Sequence, residues 1–349
     1  MTIVAEHYAH VVGVDTHART HTYAVLSSAT GQVADTATFP TSPPGIGRAL
    51  TWIGRRTTGE SVLVSIEGAS SYGAGLTRAL LSAGIDACDV RPPRRASRTG
   101  KGKSDAIDAV AAARTVLGSD LQCLLQPRAD GDRNALRILV NARRSMDTQR
   151  SADRHALTAL ARTVDLGIDA RKPLTDAQIR AISRWRPRPL DERAVRVARA
   201  EARRLAAAII HFTTGMTKNQ TGLTEIVEVM APGLLDVYGV GPVTAAIILT
   251  AYSHHGRVRS EAAFAALAGV NPIPASSGNT TRHRLNQHGD RQLNQALDII
   301  ARTRMSFDPD TRTYLARRTK EGKTRREIRR CLKRAIARQL YRKINIIMP

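Results

Sequence analysis

Short β-branched runs open the chain. HVVGVD from His10, HTYAVLSS from His21 and QVADTATF from Gln32 each read as a strand, with the turn-forming ATG between the second and third. Such close spacing predicts an antiparallel meander. After TSPPG the pattern alternates: a helix over Ile46 to Arg56, a buried strand in SVLVSIE, a helix in SSYGAGLTRALLSAG closed by Gly84, a strand in IDACDVRP, and a helix opened by Asp105. From about Arg128 to Met230 strand signals vanish, and Ala, Arg and Leu dominate.

The first stretch therefore reads β-β-β-α-β-α-β-α, the order of an RNase H-like fold rather than of a dinucleotide-binding fold. The middle carries a seam. Val195, Ala198, Ala202, Leu205, Ile209, Phe212, Met216, Asn219, Leu223, Ile226 and Met230 keep spacings of three and four over five heptads, as in a coiled coil. Its partner is either the earlier helix, Arg133 to Val164, or the same helix of a second subunit. Asn219 in such a seam would fix register or oligomer state at a cost in stability. The alternative is a break at TTGMTKNQTG, with Asn219 in a loop. ARKPLTDAQ and RWRPRPLDER interrupt the helical pattern on the N-terminal side. The expected class is α/β plus all-α: residues 1–127 as the sheet domain, 128–230 as a helical coiled-coil spacer, and 231–349 as a mainly helical C-terminal domain.

Charge narrows the partner. The 349 residues include 53 Lys and Arg against 30 Asp and Glu, a formal charge of +23 that points to a polyanion bound through its phosphates. Aromatic residues are 4% of the chain, which argues against stacked-base recognition and for backbone and shape contacts. Cys88, Cys123 and Cys331 are too few and too dispersed for a disulfide framework or a zinc knuckle. With no membrane-length apolar run and no signal-like first residues, the expected location is the cytoplasm.

Against that basic background, four acids stand out. Asp15 ends the first strand, Glu67 ends the fourth, and Asp105 and Asp108 share one face of the helix after the last strand. Converging carboxylates need a hard cation, so Mg²⁺ or Mn²⁺ is the expected cofactor. Taken singly, each acid could equally be a turn or first-turn residue. RPPRRASRTGKGKS, with Arg94, Arg95, Arg98, Lys101 and Lys103, reads as a phosphate-gripping loop beside them, or as a plain solvated charge run. His17 and His21 are expected at the surface.

In the last third, LLDVYGVGPVTAAIILTAY joins two apolar segments through Gly239 and Gly241, resembling a helix-hairpin-helix whose backbone N–H groups meet a phosphate. A simple tight turn is the alternative. GVNPIPASSGNTTRHRLNQHGDRQLNQAL then forms an irregular loop with Ser276 and Ser277 at its apex, followed by Arg282, His283, Arg284 and Arg291. A serine needs activation to serve as a nucleophile, and Ser-Ser-Gly is by itself ordinary loop composition. His283 and His288 lack the further ligands of a zinc site. The final basic helix presents Ile328, Leu332, Ile336 and Leu340 on one face and cations on the others.

VGVDTHARTHTYAVL, IEGASSYGAGLTRALLSAG, RTGKGKSDAIDAVAAAR, GVGPVTAAIILTAY and FAALAGVNPIPASSGNTTRHRLNQHGDRQLNQAL together resemble the insertion sequence 110 family of transposases, including its 1111 subgroup. The resemblance implies a RuvC-like domain whose Asp15, Glu67, Asp105 and Asp108 bind Mg²⁺, and a C-terminal transposase domain with a catalytic serine. The family serine precedes a glycine, which selects Ser277 over Ser276. It further implies a structured bridge RNA pairing with donor and target DNA, and dimers that join into tetramers. Two other readings stand beside it: a RuvC-like nuclease or junction resolvase using water as nucleophile, and a nucleic-acid scaffold with an inert acid cluster.

Overall fold

The computed structural model describes residues 2–90, 104–275 and 283–348. It divides into two compact units, Met1–Arg128 and Ala129–Pro349. After a one-turn helix α1 (Val4–His7), the first unit runs β1 (His10–Thr16), β2 (Thr20–Ser27), β3 (Val33–Pro40), α2 (Pro43–Thr57), β4 (Val62–Glu67), α3 (Ala74–Ser82), β5 (Asp86–Val90) and α4 (Asp105–Leu117). This is the element order that the hydrophobic pattern predicts.

The sheet order is β3-β2-β1-β4-β5, with β1, β2 and β3 antiparallel and β4 and β5 added parallel to β1. One face packs Val12, Val14, Tyr23, Val64 and Ile66 against Ile53 of α2 and Leu76 and Leu80 of α3. The opposite face packs Val11, Leu26, Leu63 and Cys88 against Ala109, Ala113 and Val116 of α4. Covered on both sides, β1 and β2 lose polar alternation, whereas the edge strand β3 keeps it. His21, expected at the surface, lies on β2 and is 1% exposed; its burial holds the imidazole pKa below the ordinary value.

In the second unit α5 (Asp132–Thr163) and α7 (Arg193–Met230) lie antiparallel, Arg143 donating to the Met216 carbonyl and Asn219 Nδ2 to the Leu139 carbonyl at 2.9 Å each. The helix runs unbroken through TTGMTKNQTG. Tight contact forms there, since a Cβ on Gly215 would sit 3.0 Å from Met146 Sδ. The seam is thus filled by α5 of the same chain. Ala198, Ala202, Leu205, Ile209, Met216, Asn219 and Leu223 are buried as predicted, while Phe212 is half-buried and Val227 replaces Ile226. That last shift follows from the 3.6-residue turn, which drifts off a strict heptad.

At one end of the pair α6 (Asp176–Ser183) closes a small core with Leu157, Leu205 and Ile209. At the other, Leu136, Leu223 and Val227 merge into the main core of α8 (Pro242–Tyr252), α9 (Glu261–Leu267), α10 (Arg291–Phe307) and α12 (Arg325–Ile347). There Tyr252, Phe264 and Tyr341 meet edge to face or tilted, and Tyr341 donates to the Val258 carbonyl at 2.9 Å. Helix α11 (Pro309–Lys320) flanks them, and β6 (Pro272–Pro274) pairs antiparallel with β7 (His283–Leu285). Among the described residues no helix is long and apolar enough to cross a membrane.

Candidate metal centre

Strand β1 sends its odd-numbered residues toward α4, as Val11 packs there while Val12 and Val14 face the other way. Gly13 is in the middle of that odd set. A Cβ on it would lie 2.0 Å from the Ala109 carbonyl oxygen and 2.5 Å from the Ala113 nitrogen, so only glycine lets α4 lie against the strand. On the neighbouring strand, buried Ser65 donates to the Ala112 carbonyl at 2.8 Å. These two contacts fix the height and direction of α4. Ser104 caps it, accepting from Ile107 N at 3.3 Å, and holds its first turn at the C-terminal end of β1.

Two of the predicted acids therefore meet. Single ligand atoms of Asp15, Asp105 and His17 all lie within 4.8 Å of one another, Asp15 buried and the other two exposed. His17 Nδ1 is 3.6 Å from Asp15 Oδ2. The parallel register ends with Val14 opposite Ile66, so Asp15 and Glu67 are the next residues on adjoining strands, both in the set that faces α4. Thr16 Oγ1 donates to the Glu67 carbonyl at 2.6 Å and ties the two strand ends together. Asp108 is half-buried in the first turn of α4. Among the described residues, however, no such close group of three includes Glu67 or Asp108.

His17 takes a place in the cluster that the sequence reading gave only to acids. It is exposed as expected, but it follows Asp15 by two residues, the strand period, and that spacing was the available signal. Two carboxylates and an imidazole are a donor set that fits a divalent cation: the oxygens suit Mg²⁺, and the nitrogen is equally acceptable to Mn²⁺.

The remaining predicted positions fall in three groups. Arg94, Arg95, Arg98, Lys101, Lys103, Ser276, Ser277 and Arg282 lie outside the described residues. Arg284 is exposed on β7 opposite Ile273, and Arg291 is exposed at the start of α10. Gly239 and Gly241 precede α8, but the segment before them is not a helix. After Pro232 it is a run of turns, Leu234 N to Ala231 O, Val237 N to Leu234 O and Val240 N to Val237 O. Pro232 and the left-handed Gly233 that follows stop α7 from continuing into this stretch. Gly241 N donates to Thr244 Oγ1 at 3.0 Å, so that N–H already has a partner inside the helix start.

Comparison with known proteins gives two family matches. Residues 12–164 match a transposase profile of the DEDD type from the IS110 group, and residues 231–316 match the Transposase IS116/IS110/IS902 family. An uncharacterized 43.6 kDa protein of insertion element IS110 from Streptomyces coelicolor (strain ATCC BAA-471 / A3(2) / M145) is 34% identical over 96 residues, which are 27% of this chain and 24% of that protein. The alignment thus spans about a quarter of the relative's length.

Proposed function

We propose, from a chain that carries two IS110-family transposase domains, that the protein cuts and rejoins DNA as the transposase of an insertion element. The observation that carries this reading is the meeting of Asp15 and Asp105 where α4 crosses β1 over Gly13. Asp15, Asp105 and His17 would hold Mg²⁺ or Mn²⁺, with Glu67 and Asp108 at the adjoining strand end and helix turn. A divalent cation there supplies charge neutralisation at a phosphodiester. Ser277 is the proposed nucleophile. Its Oγ bonds to phosphorus, the bond to the 3′-oxygen breaks, and the serine proton ends on the freed 3′-hydroxyl. One phosphodiester is exchanged for another, so the reverse attack can seal a new partner end.

In this reading the excess of cations serves nucleic acid held by its backbone, with donor and target DNA chosen through a structured bridge RNA rather than by base-reading side chains. Subunits form dimers that join as tetramers, so that the acid site of one serves the serine of another. The fold of the first unit is read as RuvC-like on the same grounds. The deciding experiment is an adduct assay. Ser277→Ala should abolish a denaturation-resistant protein–DNA complex while sparing nucleic-acid binding. A persistent adduct would overturn the assignment, and protein-free 5′-phosphate ends from the unaltered enzyme would make water the nucleophile.

A further inference from the structure

Beneath the β6–β7 ribbon lies a cavity of about 490 Å³ whose walls are β7, the start of α10 and one face of α12. Its lining is cationic and amide-rich. Arg284, Arg326, Arg329, Arg330, Lys333 and Arg334 face a single carboxylate, Asp298, and Asn271, Asn286 and Asn294 supply further polar groups.

The cations fall into two sets. Arg329 and Lys333 converge with Arg302 on Asp298 at 3.3, 3.5 and 3.0 Å, and Lys333 Nζ also donates to Asn294 Oδ1 at 2.6 Å. One negative charge thus serves three positive ones. Arg326, Arg330 and Arg334 form a second row, four residues apart and therefore about 6 Å apart along the helix. Among the described residues neither this row nor Arg284 has a carboxylate within ion-pair distance. Like charges gathered at a concave surface repel one another, and the arrangement is relieved when an anion of matching spacing enters.

We infer that this cavity is a docking site for the phosphodiester backbone of a DNA strand, with Arg330 and Arg334 contacting phosphates and Lys333 held ready by Asp298 and Asn294. The inference rests on DNA being the substrate, as proposed above. It deepens that reading by giving the strand a place beside the ribbon that flanks residues 276–282. Base identity is not read here; the row of guanidinium groups follows successive charges of a strand.

Two measurements test it, both on the full chain without divalent metal so that cutting plays no part. First, Cys331 is exposed and lines the cavity, whereas exposed Cys123 belongs to the other unit. A 30-base-pair duplex should slow N-ethylmaleimide labelling of Cys331 in proportion to the fraction bound and leave Cys123 reactive. Second, Arg330→Gln with Arg334→Gln should lower the slope of log Kd against log salt for that duplex by about 1 to 2. The same charge removed at Arg312→Gln with Lys320→Gln on α11 should leave the slope within half of that change.

A fall for DNA supports the site whether or not single-stranded RNA of equal length follows. Unchanged Cys331 labelling at saturating DNA, equal slopes for both double variants, or a loss confined to RNA would each overturn it. These readouts stand apart from the serine adduct, so either result can fail without the other.

Discussion

Replacing Gly13 with alanine adds one methyl group where α4 crosses β1, beside the candidate metal site of Asp15, His17 and Asp105. The new Cβ would lie 2.0 Å from the Ala109 carbonyl oxygen, 2.5 Å from the Ala113 nitrogen and 2.9 Å from the Ala113 Cβ. Ordinary contact requires about 3.4 Å, so α4 must retreat by roughly 1.4 Å, and two of the three obstacles are backbone that no rotamer change can clear. Overpacking of this kind costs about 1–3 kcal/mol. For a unit of this size that is a fall in Tm of about 3–6 °C per kcal/mol. Asp105 rides on the same helix and moves away from Asp15. Misplacement by about 1 Å lowers turnover by roughly a hundredfold. The assay is thermal unfolding with and without Mn²⁺, beside strand-cutting rates. Gly13→Ala should lower Tm and also shrink the Mn²⁺-induced rise. Gly47→Ala is the control: nothing lies within 4 Å of its Cβ, it is inside α2, and the change should be neutral or stabilising by about 0.5–1 kcal/mol. A Gly13→Ala protein with unaltered Tm and metal response would refute the account of how α4 is seated.

Two further outcomes are expected. Asn219 is 7% exposed, donates Nδ2 to the Leu139 carbonyl and leaves Oδ1 buried without a hydrogen-bond partner among the described residues. Asn219→Leu should therefore stabilise the protein by up to about 1 kcal/mol, read as a higher urea midpoint with an unchanged m value; a drop would mean the amide stabilises the α5–α7 pair rather than only specifying its register. Glu261, at the start of α9, is bonded by Arg342 and by Arg338 from α12, which together hold its carboxyl down at about 2 from an ordinary 4.5. Its folded pKa lies below its unfolded one, so the contribution is complete above about pH 4.5 and disappears as pH falls toward 2. Tm measured against pH should show wild type and Glu261→Gln converging over that window; parallel curves would remove the pair from the stability of the C-terminal core.

How much of this was legible beforehand depends on the range of the interaction concerned. The β-branched apolar runs of β1, β2 and β4 and the Gly84 stop after α3 are local signals, and they yielded the strand and helix order of the first unit. The three-and-four spacing through Asn219 fitted one long helix face but left a break at TTGMTKNQTG open, and it could not say what covers that face. Local pattern is silent on partners, because a buried stripe satisfied by α5 reads the same as one satisfied by a second copy. The turns before Gly239 were misread for a related reason: Leu234, Leu235 and Val237 are apolar because the core takes them up, not because they form a helix.

The acids divide in the same way. The sequence alone put Asp15 at a strand end and Asp105 in a first helical turn, since β-branched runs and helix starts are decided within a few residues. Their approach across the fold was decided by packing, through the missing side chain of Gly13 and the Ser65 hydroxyl bonded to α4. His17 lies 3.6 Å from Asp15 through local spacing, and the packing of α4 adds Asp105 to that pair. The cationic cavity arises in the same manner, from α10, α12 and the ribbon meeting in space. Residue type and local period are written along the chain, whereas which charges share one small volume is fixed only when its helices and strands close on each other.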